Sequence, residues 1–257
     1  MAGDITLITG ASSGIGEALA RRLGRDRRPL ALVARRTDRL ERLAGELRAQ
    51  HGVEVHVLTA DLTQPGACAR LQSDVEQRGL TVDWLINNAG FGTHGAFAEL
   101  PVEREVEEVQ LNVSALVELT GRFLPGMVQR RRGAVVNVAS VGGFGPGPYM
   151  ATYCATKAFV LSFTEALSYE TRGSGLSVLT VSPGATRTEF FEVVGTADAA
   201  VGRYQTTEQV VSRALHELDR PSTPPSFVSG RLNAMMTKAA GFMPRRVTLS
   251  TAGRVLR

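Results

Sequence analysis

Tyr153 and Lys157 lie four residues apart in the segment ATYCATK, which ends at residue 157. Lysine is rare in this chain, because Lys157 and Lys238 are the two lysines among 29 basic residues. Positions four apart share one face of a helix. A nearby ammonium lowers the pKa of a phenol, which is about 10 in water. The pair therefore predicts general acid–base chemistry at Tyr153.

A glycine-rich stretch, TGASSGIG at residues 9–16, joins a predicted strand to a predicted helix. Glycines let the backbone turn sharply and approach a pyrophosphate, and the helix start offers free N–H groups and a positive dipole end. The turn therefore predicts a dinucleotide site, with a tight turn that binds nothing as the alternative. The residues expected to contact the cofactor here are Gly10, Ser12, Ser13, Gly14, Ile15 and Gly16.

The second predicted strand ends in Ala34, Arg35 and Arg36. A site for NAD usually has an acidic residue there, which holds the ribose 2′-hydroxyl. A guanidinium instead binds a 2′-phosphate through two N–H groups. We therefore expect NADP(H), with Arg35 as the main contact and Arg36 as the second. The alternative is that both arginines are solvated residues at a helix start.

Apolar runs alternate with helical patterns along the chain, which predicts a parallel sheet covered on both faces. The fold class is a single-domain, doubly wound (Rossmann-type) α/β/α sandwich with a mostly parallel seven-stranded sheet, covering residues 1–257. The predicted strands are 5–10, 29–35, 53–61, 82–90, 133–140, 176–184 and 226–230. The predicted helices are 14–26, 37–50, 66–79, 102–130, 149–173 and 206–219.

Two segments depart from the alternation. Residues 186–205 follow the sixth strand and carry apolar side chains, which predicts a substrate lid, with an ordinary surface helix as the alternative. Residues 231–257 form a basic, amphipathic C-terminal extension broken at Pro244. Packing on the domain or joining an oligomer is the favoured role of this extension, and contact with a membrane surface is the other.

Composition excludes several classes of protein. The net charge is +4, but the arginines are interleaved with acids along helices, so we expect no nucleic-acid partner. Two cysteines and four histidines show no metal-ligand spacing, and Cys154 is expected to be a small buried thiol. No apolar run reaches the roughly 20 residues of a membrane span, and a strand begins within a few residues of the N-terminus. A cytoplasmic protein is the expectation.

Several motifs occur in one order along residues 5–190. They are the glycine turn, Asp61-Leu62, Asn87-Asn88-Ala89-Gly90, Asn112, Ser140, Tyr153 with Lys157, and Pro183-Gly184 followed by Thr188. In this order the sequence resembles the short-chain dehydrogenase/reductase family. The resemblance implies hydride transfer between a nicotinamide and a carbonyl or alcohol. It also implies that Ser140 binds the substrate oxygen, Asn112 holds a water linked to Lys157, and Lys157 holds the nicotinamide ribose.

The resemblance implies further cofactor contacts. Asp61 and Leu62 would border the adenine, and Asn88, Ala89 and Gly90 would line the ribose. The remaining expected contacts follow the sixth strand and are Pro183, Gly184, Thr186 and Thr188. One position departs from many NADP-binding members, because Ser13 stands where they have a basic residue. Cofactor choice would then rest on Arg35 and Arg36.

The expected substrate-pocket residues follow the fourth, fifth and sixth strands, and nearly all are apolar. They are Phe91, Val141, Phe144, Tyr149, Met150, Ala185, Phe190 and Phe191. This set predicts an apolar or aromatic ketone, aldehyde or secondary alcohol, with reduction favoured. Steroid, acyl-chain and polyketide-like substrates all remain open. The alternatives in function are a non-catalytic NADP(H)-sensing module and a membrane-surface acyl or lipid reductase. The family resemblance further implies a homodimer or homotetramer.

Overall fold

Seven strands form one sheet in which all neighbouring strands are parallel, in the order β3-β2-β1-β4-β5-β6-β7. The computed structural model describes residues 3–196 and 204–256. The chain runs outward from β1 to β3 and then returns to pair β4 with β1, so the strand order reverses between β1 and β4. The strands are β1 Gly3–Thr9, β2 Leu30–Ala34, β3 Val55–Thr59, β4 Leu80–Asn87, β5 Gly133–Val138, β6 Leu176–Ser182 and β7 Ser226–Val228.

Helices connect these strands and cover both faces of the sheet. They are α1 Gly14–Arg25, α2 Thr37–His51, α3 Ala67–Gln77, α4 Val102–Val109, α5 Leu116–Arg130, α6 Ala151–Glu170, α7 Phe190–Val194, α8 Thr207–Leu218, α9 Arg231–Gly241 and α10 Arg245–Val255. Between Gly3 and Leu256, leaving out 197–203, no helix is both long enough and apolar enough to cross a membrane.

The core has one apolar layer on each face of the sheet. Leucines and valines of α1, α2 and α8 pack on one face against strand residues such as Ile8 and Leu32. Apolar side chains of α3 and α5 pack on the other face against residues such as Leu7 and Leu85. The strands are therefore buried on both sides, which explains why their sequences lack a simple alternation of apolar and polar residues.

The predicted three-layer fold is confirmed, with local differences. The long helix expected over 102–130 contains a π-helical turn, Gln110–Ala115, between α4 and α5. The expected lid, residues 186–205, contains α7. Its first residue, Thr186, forms an isolated β-bridge with its last residue, Gln205. The rest of that expected lid, 197–203, lies outside the described residues. The C-terminal extension forms α9 and α10, which meet at Pro244 as the sequence indicated.

A buried polar ladder joins the centre of the sheet to two helices. The register pairs Asn87 of β4 with Asn137 of β5, and the Asn87 Nδ2 donates to the Asn137 Oδ1 (2.9 Å) and to the Thr120 Oγ1 (3.1 Å). The Asn137 Nδ2 then donates to the Thr164 Oγ1 (2.8 Å). Because these groups are out of contact with water, each hydrogen bond avoids the cost of an unsatisfied polar group.

We expect Asn137→Leu to lower the free energy of unfolding by about 1–3 kcal/mol, because it removes one buried hydrogen-bond partner each from the Asn87 Nδ2 and the Thr164 Oγ1 and places an apolar side chain against them. Urea unfolding monitored by circular dichroism measures the loss. Ser177→Ala is the control, since it removes a single hydrogen bond, which Thr223 donates from the segment before β7. An equal loss in both variants would contradict the special cost assigned to the ladder.

Candidate active site

A cavity of about 810 Å³ opens at the carboxyl edge of the sheet. The ends of β1, β2, β4, β5 and β6 form its floor, and α9 and α10 form part of its wall. The sequence-predicted site residues line it with three exceptions, which are Gly16, Asn112 and Tyr149. Residues far apart in sequence therefore meet in one active-site cavity, at the place where open α/β sheets bind ligands.

The glycine turn leaves room for the backbone at the end of β1. Gly10 has a φ of +67°, a conformation that favours glycine. A Cβ at Gly16 would collide with the carbonyl oxygen of Gly10, so the start of α1 packs directly under the turn. Ser13 precedes α1, and its hydroxyl makes no capping bond to the helix. The turn therefore has the geometry of a phosphate cradle, with the helix start facing the cavity.

Arg36 lies against this turn. Its guanidinium donates to the Ser13 Oγ (2.8 Å) and the Ser12 Oγ (3.1 Å), and its Nη1 donates to the Glu189 Oε2 (2.8 Å). Arg39 also bonds Glu189. Arg35 instead has a side chain that is 58% exposed and lies 3.6 Å from Glu107.

The sequence analysis ranked Arg35 above Arg36 as the contact for a 2′-phosphate, and that ranking stays a prediction. The structure bonds Arg36 to the glycine turn, whereas Arg35 lines the same cavity with a largely exposed side chain. Arg39 and Glu189 were missed because they meet across 150 residues of sequence. We refer to Arg36 and Arg39, with Ser12 and Ser13, as the arginine cluster.

Tyr153 and Lys157 face the cavity from α6, and Ser140 reaches it from the end of β5. The Lys157 Nζ donates to the carbonyl oxygen of Val138 (2.9 Å) and lies 5.8 Å from the centre of the Tyr153 ring. The Ser140 Oγ accepts from the Gly142 backbone N–H (3.1 Å) and lies near enough to the Tyr153 phenol to lower its pKa. Strand β5 and helix α6 therefore bring together the hydroxyl, phenol and ammonium that the sequence predicted.

Burial shifts the pKa values of these groups. It raises the pKa of Tyr153 above its ordinary value, and the hydrogen bond with Ser140 opposes this rise. In this structure the pKa of the phenol is thus raised, not lowered as the sequence led us to expect, because desolvation by burial outweighs the hydrogen bond with Ser140. Burial also lowers the pKa of Lys157 to about 8, against the charge of Glu108, which raises it. At neutral pH, Tyr153 holds its proton and Lys157 is largely charged.

Burial also shifts the pKa of the thiol next to Tyr153. Cys154 is buried, and burial raises its pKa to about 11. A thiolate is the reactive form of cysteine, so this thiol is unreactive at neutral pH. The interpretation of Cys154 as a small buried thiol is consistent with this environment.

Asn112 and Tyr149 lie outside the cavity lining for different reasons. The Asn112 Oδ1 accepts from the Phe91 backbone N–H (3.1 Å), and its Nδ2 donates to the Phe91 carbonyl (2.9 Å) and the Thr156 hydroxyl (3.1 Å). Asn112 therefore fixes the loop after β4 from behind, and its water-holding role stays a prediction. Tyr149 has a φ of +65°, and its ring lies 6.3 Å from the His94 ring. Its inclusion among the pocket residues is corrected.

An apolar wall surrounds Tyr153. The Phe190 ring lies 5.2 Å from the Tyr153 ring, and Met150, Cys154 and Leu256 form a buried cluster beside it. Much of the wall comes from the C-terminal extension, which the sequence did not place at the site. Its lining residues are Asn233, Met236, Thr237, Ala239, Ala240, Met243, Thr248, Thr251, Ala252, Val255 and Leu256.

Two glutamates of α4 are buried, one of them near Tyr153 and Lys157, and no sequence pattern singled them out. Glu108 is fully buried, and its Oε2 accepts from the Thr93 hydroxyl (3.0 Å). Glu105 is also buried and bonds the Thr152 hydroxyl. Burial raises the pKa of Glu108 to about 7, Thr93 lowers it, and the charge of Glu105 raises it further. Glu108 therefore changes its protonation near neutral pH.

The parallel sheet, the glycine turn and the Ser140–Tyr153–Lys157 group together define a Rossmann-type oxidoreductase. The family model for short chain dehydrogenases matches residues 4–199. The chain therefore belongs to the short-chain dehydrogenase family.

Individual relatives extend this match. A very-long-chain 3-oxoacyl-CoA reductase of Anas platyrhynchos is 32% identical over 182 residues, which are 69% of this chain and 58% of that protein. A 7beta-hydroxysteroid dehydrogenase of Collinsella aerofaciens is 33% identical over 186 residues, which are 72% of this chain and 70% of that protein. This chain thus spans little more than half the length of the first relative. A short-chain dehydrogenase from Sphingobium yanoikuyae, solved in complex with NADPH, is 37% identical, with a TM-score of 0.80 over 94% of this chain and 95% of that one.

The raised pKa of Glu108 predicts a pH-dependent stability. The folded protein binds the Glu108 proton more tightly than the unfolded chain, whose carboxyl has an ordinary pKa of 4.5. This contribution to stability is complete below about pH 4.5 and is lost as pH rises to about 7. The free energy of unfolding of Glu108→Gln should therefore rise by about 1–2 kcal/mol relative to that of the wild type between pH 5.5 and 8, measured by urea unfolding.

The control for this prediction is Glu103→Gln, on the exposed face of α4. A difference that does not vary with pH would contradict the prediction.

Proposed function

We propose that this chain is an NADP(H)-dependent oxidoreductase that reduces the carbonyl group of an apolar or aromatic ketone or aldehyde. The observation that carries the proposal is the meeting of Ser140, Tyr153 and Lys157 in one cavity, with the phenol protonated at neutral pH. In the opposite direction, the same residues would serve oxidation of a secondary alcohol.

The residues present fit the dinucleotide. The turn around Gly10 approaches the cavity with backbone alone, as a pyrophosphate requires, and the arginine cluster supplies donors for a 2′-phosphate. Asp61 and Leu62 line the cavity where the adenine is expected, and Asn88 to Gly90 line it where the ribose is expected. The complex of the Sphingobium relative with NADPH supports this cofactor. When bound, the nicotinamide supplies the hydride for reduction.

The chain's own residues handle the proton. The Tyr153 hydroxyl donates it to the carbonyl oxygen of the substrate, and the Ser140 hydroxyl donates a hydrogen bond to the same oxygen. Lys157 is oriented by the carbonyl of Val138 and stabilises the phenolate that remains after donation. Burial keeps the phenol protonated beforehand, so Tyr153 is ready to act as an acid at neutral pH.

The wall of the cavity supports an apolar substrate. Phe190, Met150, Met236 and Val255 contribute apolar surface near Tyr153, which favours a ketone or aldehyde with bulky apolar groups. Steroid and acyl-chain carbonyl compounds both fit this description. The names of the hydroxysteroid and 3-oxoacyl-CoA relatives support the same two classes.

A second copy of the chain is the proposed partner. Helices α4 and α5 expose apolar side chains to solvent, and these are Val102, Val106, Val109, Val117 and Val128. Burying such a stripe against the same stripe of a second copy removes it from water and gives a two-fold interface. This supports a homodimer or homotetramer assembled through the two helices.

The reductase function predicts that Tyr153→Phe abolishes turnover, because phenylalanine has no proton to donate. Consumption of NADPH, followed by absorbance with a panel of apolar ketones and aldehydes, should fall by roughly 10²–10⁴-fold. Tyr169→Phe, which removes an exposed hydroxyl from the same helix, is the matched control and should keep wild-type rates. Turnover that survives Tyr153→Phe would refute the mechanism. Tight NADPH binding without turnover in any variant would favour a sensing module.

The position of α10 predicts that it selects the substrate by size. Ala252 lines the cavity, so Ala252→Phe should raise KM for bulky aryl ketones by about tenfold or more and change it little for small aldehydes. Ser250→Phe adds the same bulk to an exposed position of that helix and serves as the control. Equal KM changes for large and small substrates would show that α10 does not select by size.

A further inference from the structure

Glu189 lies where the chain enters α7, and its carboxylate is held by two arginines. The Oε2 accepts from the Arg36 Nη1 (2.8 Å), and the Oε1 accepts from Arg39. Hydrogen bonds with Arg36 and Arg39 hold the pKa of Glu189 below its ordinary value. The carboxylate is therefore charged at neutral pH, and it is the anion that the arginine cluster binds in this structure.

The same arginines are the donors that the proposed function assigns to the cofactor. Arg36 uses its Nε and Nη2 on the Ser12 and Ser13 hydroxyls, which aligns the guanidinium with the glycine turn. Its Nη1 points to Glu189. A 2′-phosphate is also an anion with oxygen acceptors, so it needs the N–H groups that the carboxylate occupies. A phosphate and a carboxylate on one guanidinium also repel each other.

Glu189 is joined to the catalytic residues by its neighbours in sequence. Phe190 follows it directly, and the Phe190 ring lies 5.2 Å from the Tyr153 ring. Thr188 precedes it and accepts from the Phe190 backbone N–H (3.2 Å). The consecutive residues Thr188, Glu189 and Phe190 therefore connect the arginine cluster with the ring that packs on Tyr153. The carboxylate that binds the arginine cluster is thus the direct chain neighbour of the ring that packs on Tyr153.

We propose that Glu189 is a specificity-determining residue for the cofactor, because its carboxylate competes with the 2′-phosphate for Arg36 and Arg39. Binding of the phosphorylated dinucleotide exchanges the carboxylate for the phosphate and detaches the start of α7 from the arginine cluster. A dinucleotide without the 2′-phosphate leaves the ion pair intact. This inference rests on the proposed function, since it takes the arginine cluster as the 2′-phosphate site.

The test compares Glu189→Gln with Glu192→Gln in the full chain. Both variants remove one negative charge from the same short segment, but Glu192 is exposed on α7. Equilibrium binding of NADPH and of NADH is measured by nicotinamide fluorescence, without substrate. Glu189→Gln should lower the Kd of NADPH about two- to fivefold, the range expected for removing an exposed ion pair. The Kd of NADH should stay unchanged, and Glu192→Gln should match the wild type with both dinucleotides.

Other results overturn the inference. Equal tightening in both variants would show a long-range charge effect, and weaker or unchanged NADPH binding in Glu189→Gln would show that the carboxylate does not compete. The binding data also show whether the NADP(H) assignment itself is wrong. In that case the wild type binds NADPH no more tightly than NADH, and Glu189→Gln changes both Kd values by the same factor or neither. Such a result rejects the 2′-phosphate site and the competition together.

Discussion

The joining of two strand ends beneath the glycine turn is the constraint on which the active-site cavity depends. The Thr9 hydroxyl accepts from the backbone N–H groups of Asn88 and Ala89 (both 3.0 Å) and donates to the Ile86 carbonyl (3.3 Å). The Asn88 side chain donates back to the Thr9 carbonyl (2.9 Å). These bonds tie the end of β1 to the end of β4, where the strand order reverses. The turn and the segment after β4 are therefore positioned relative to each other by the protein itself, and a ligand that spans them does not have to order them.

Burial sets the chemistry of this cavity as much as the identity of the residues does. It raises the pKa of the Tyr153 phenol and of the Glu108 carboxyl, and it lowers the pKa of the Lys157 ammonium. In each case burial favours the neutral form of the group, because a charge loses its hydration when it is removed from water. Glu108 and Lys157 consequently reach pKa values of about 7 and about 8, from opposite sides. Lys157 at the cavity and Glu108 behind it therefore both change protonation near neutral pH. Burying each of them lowers the stability of the fold in the pH range where it would be charged in the unfolded chain.

Much of the fold, and the meeting of Ser140, Tyr153 and Lys157 in one cavity, could be predicted because the sequence patterns behind them are local. A glycine turn between a strand and a helix, and a tyrosine and lysine one helical turn apart, are visible within a few residues. Contacts such as Arg36 with Glu189, 153 residues away, have no such local pattern. Glu108 lies in α4 among other charged residues, so its sequence context is typical of a solvent-exposed acid, although the side chain is buried. Tyr149 has a positive φ and does not line the cavity, and the identity of the residue reveals neither feature.

The family match ends at residue 199, yet the apolar wall of the cavity extends to Leu256. Two hydrogen bonds attach this wall at its ends. The Asn233 side chain donates to the Ser229 carbonyl (2.9 Å), and the His94 Nε2 donates to the Leu256 carbonyl (2.7 Å). Between these attachments, α10 has no buried side chain and Phe242 is 92% exposed. Helices with so little buried surface open at low free-energy cost. The residues proposed for proton transfer therefore lie on α6 and directly after β5, in the well-packed part of the domain, whereas the proposed substrate would meet a wall that is attached at its ends and has little buried surface between them.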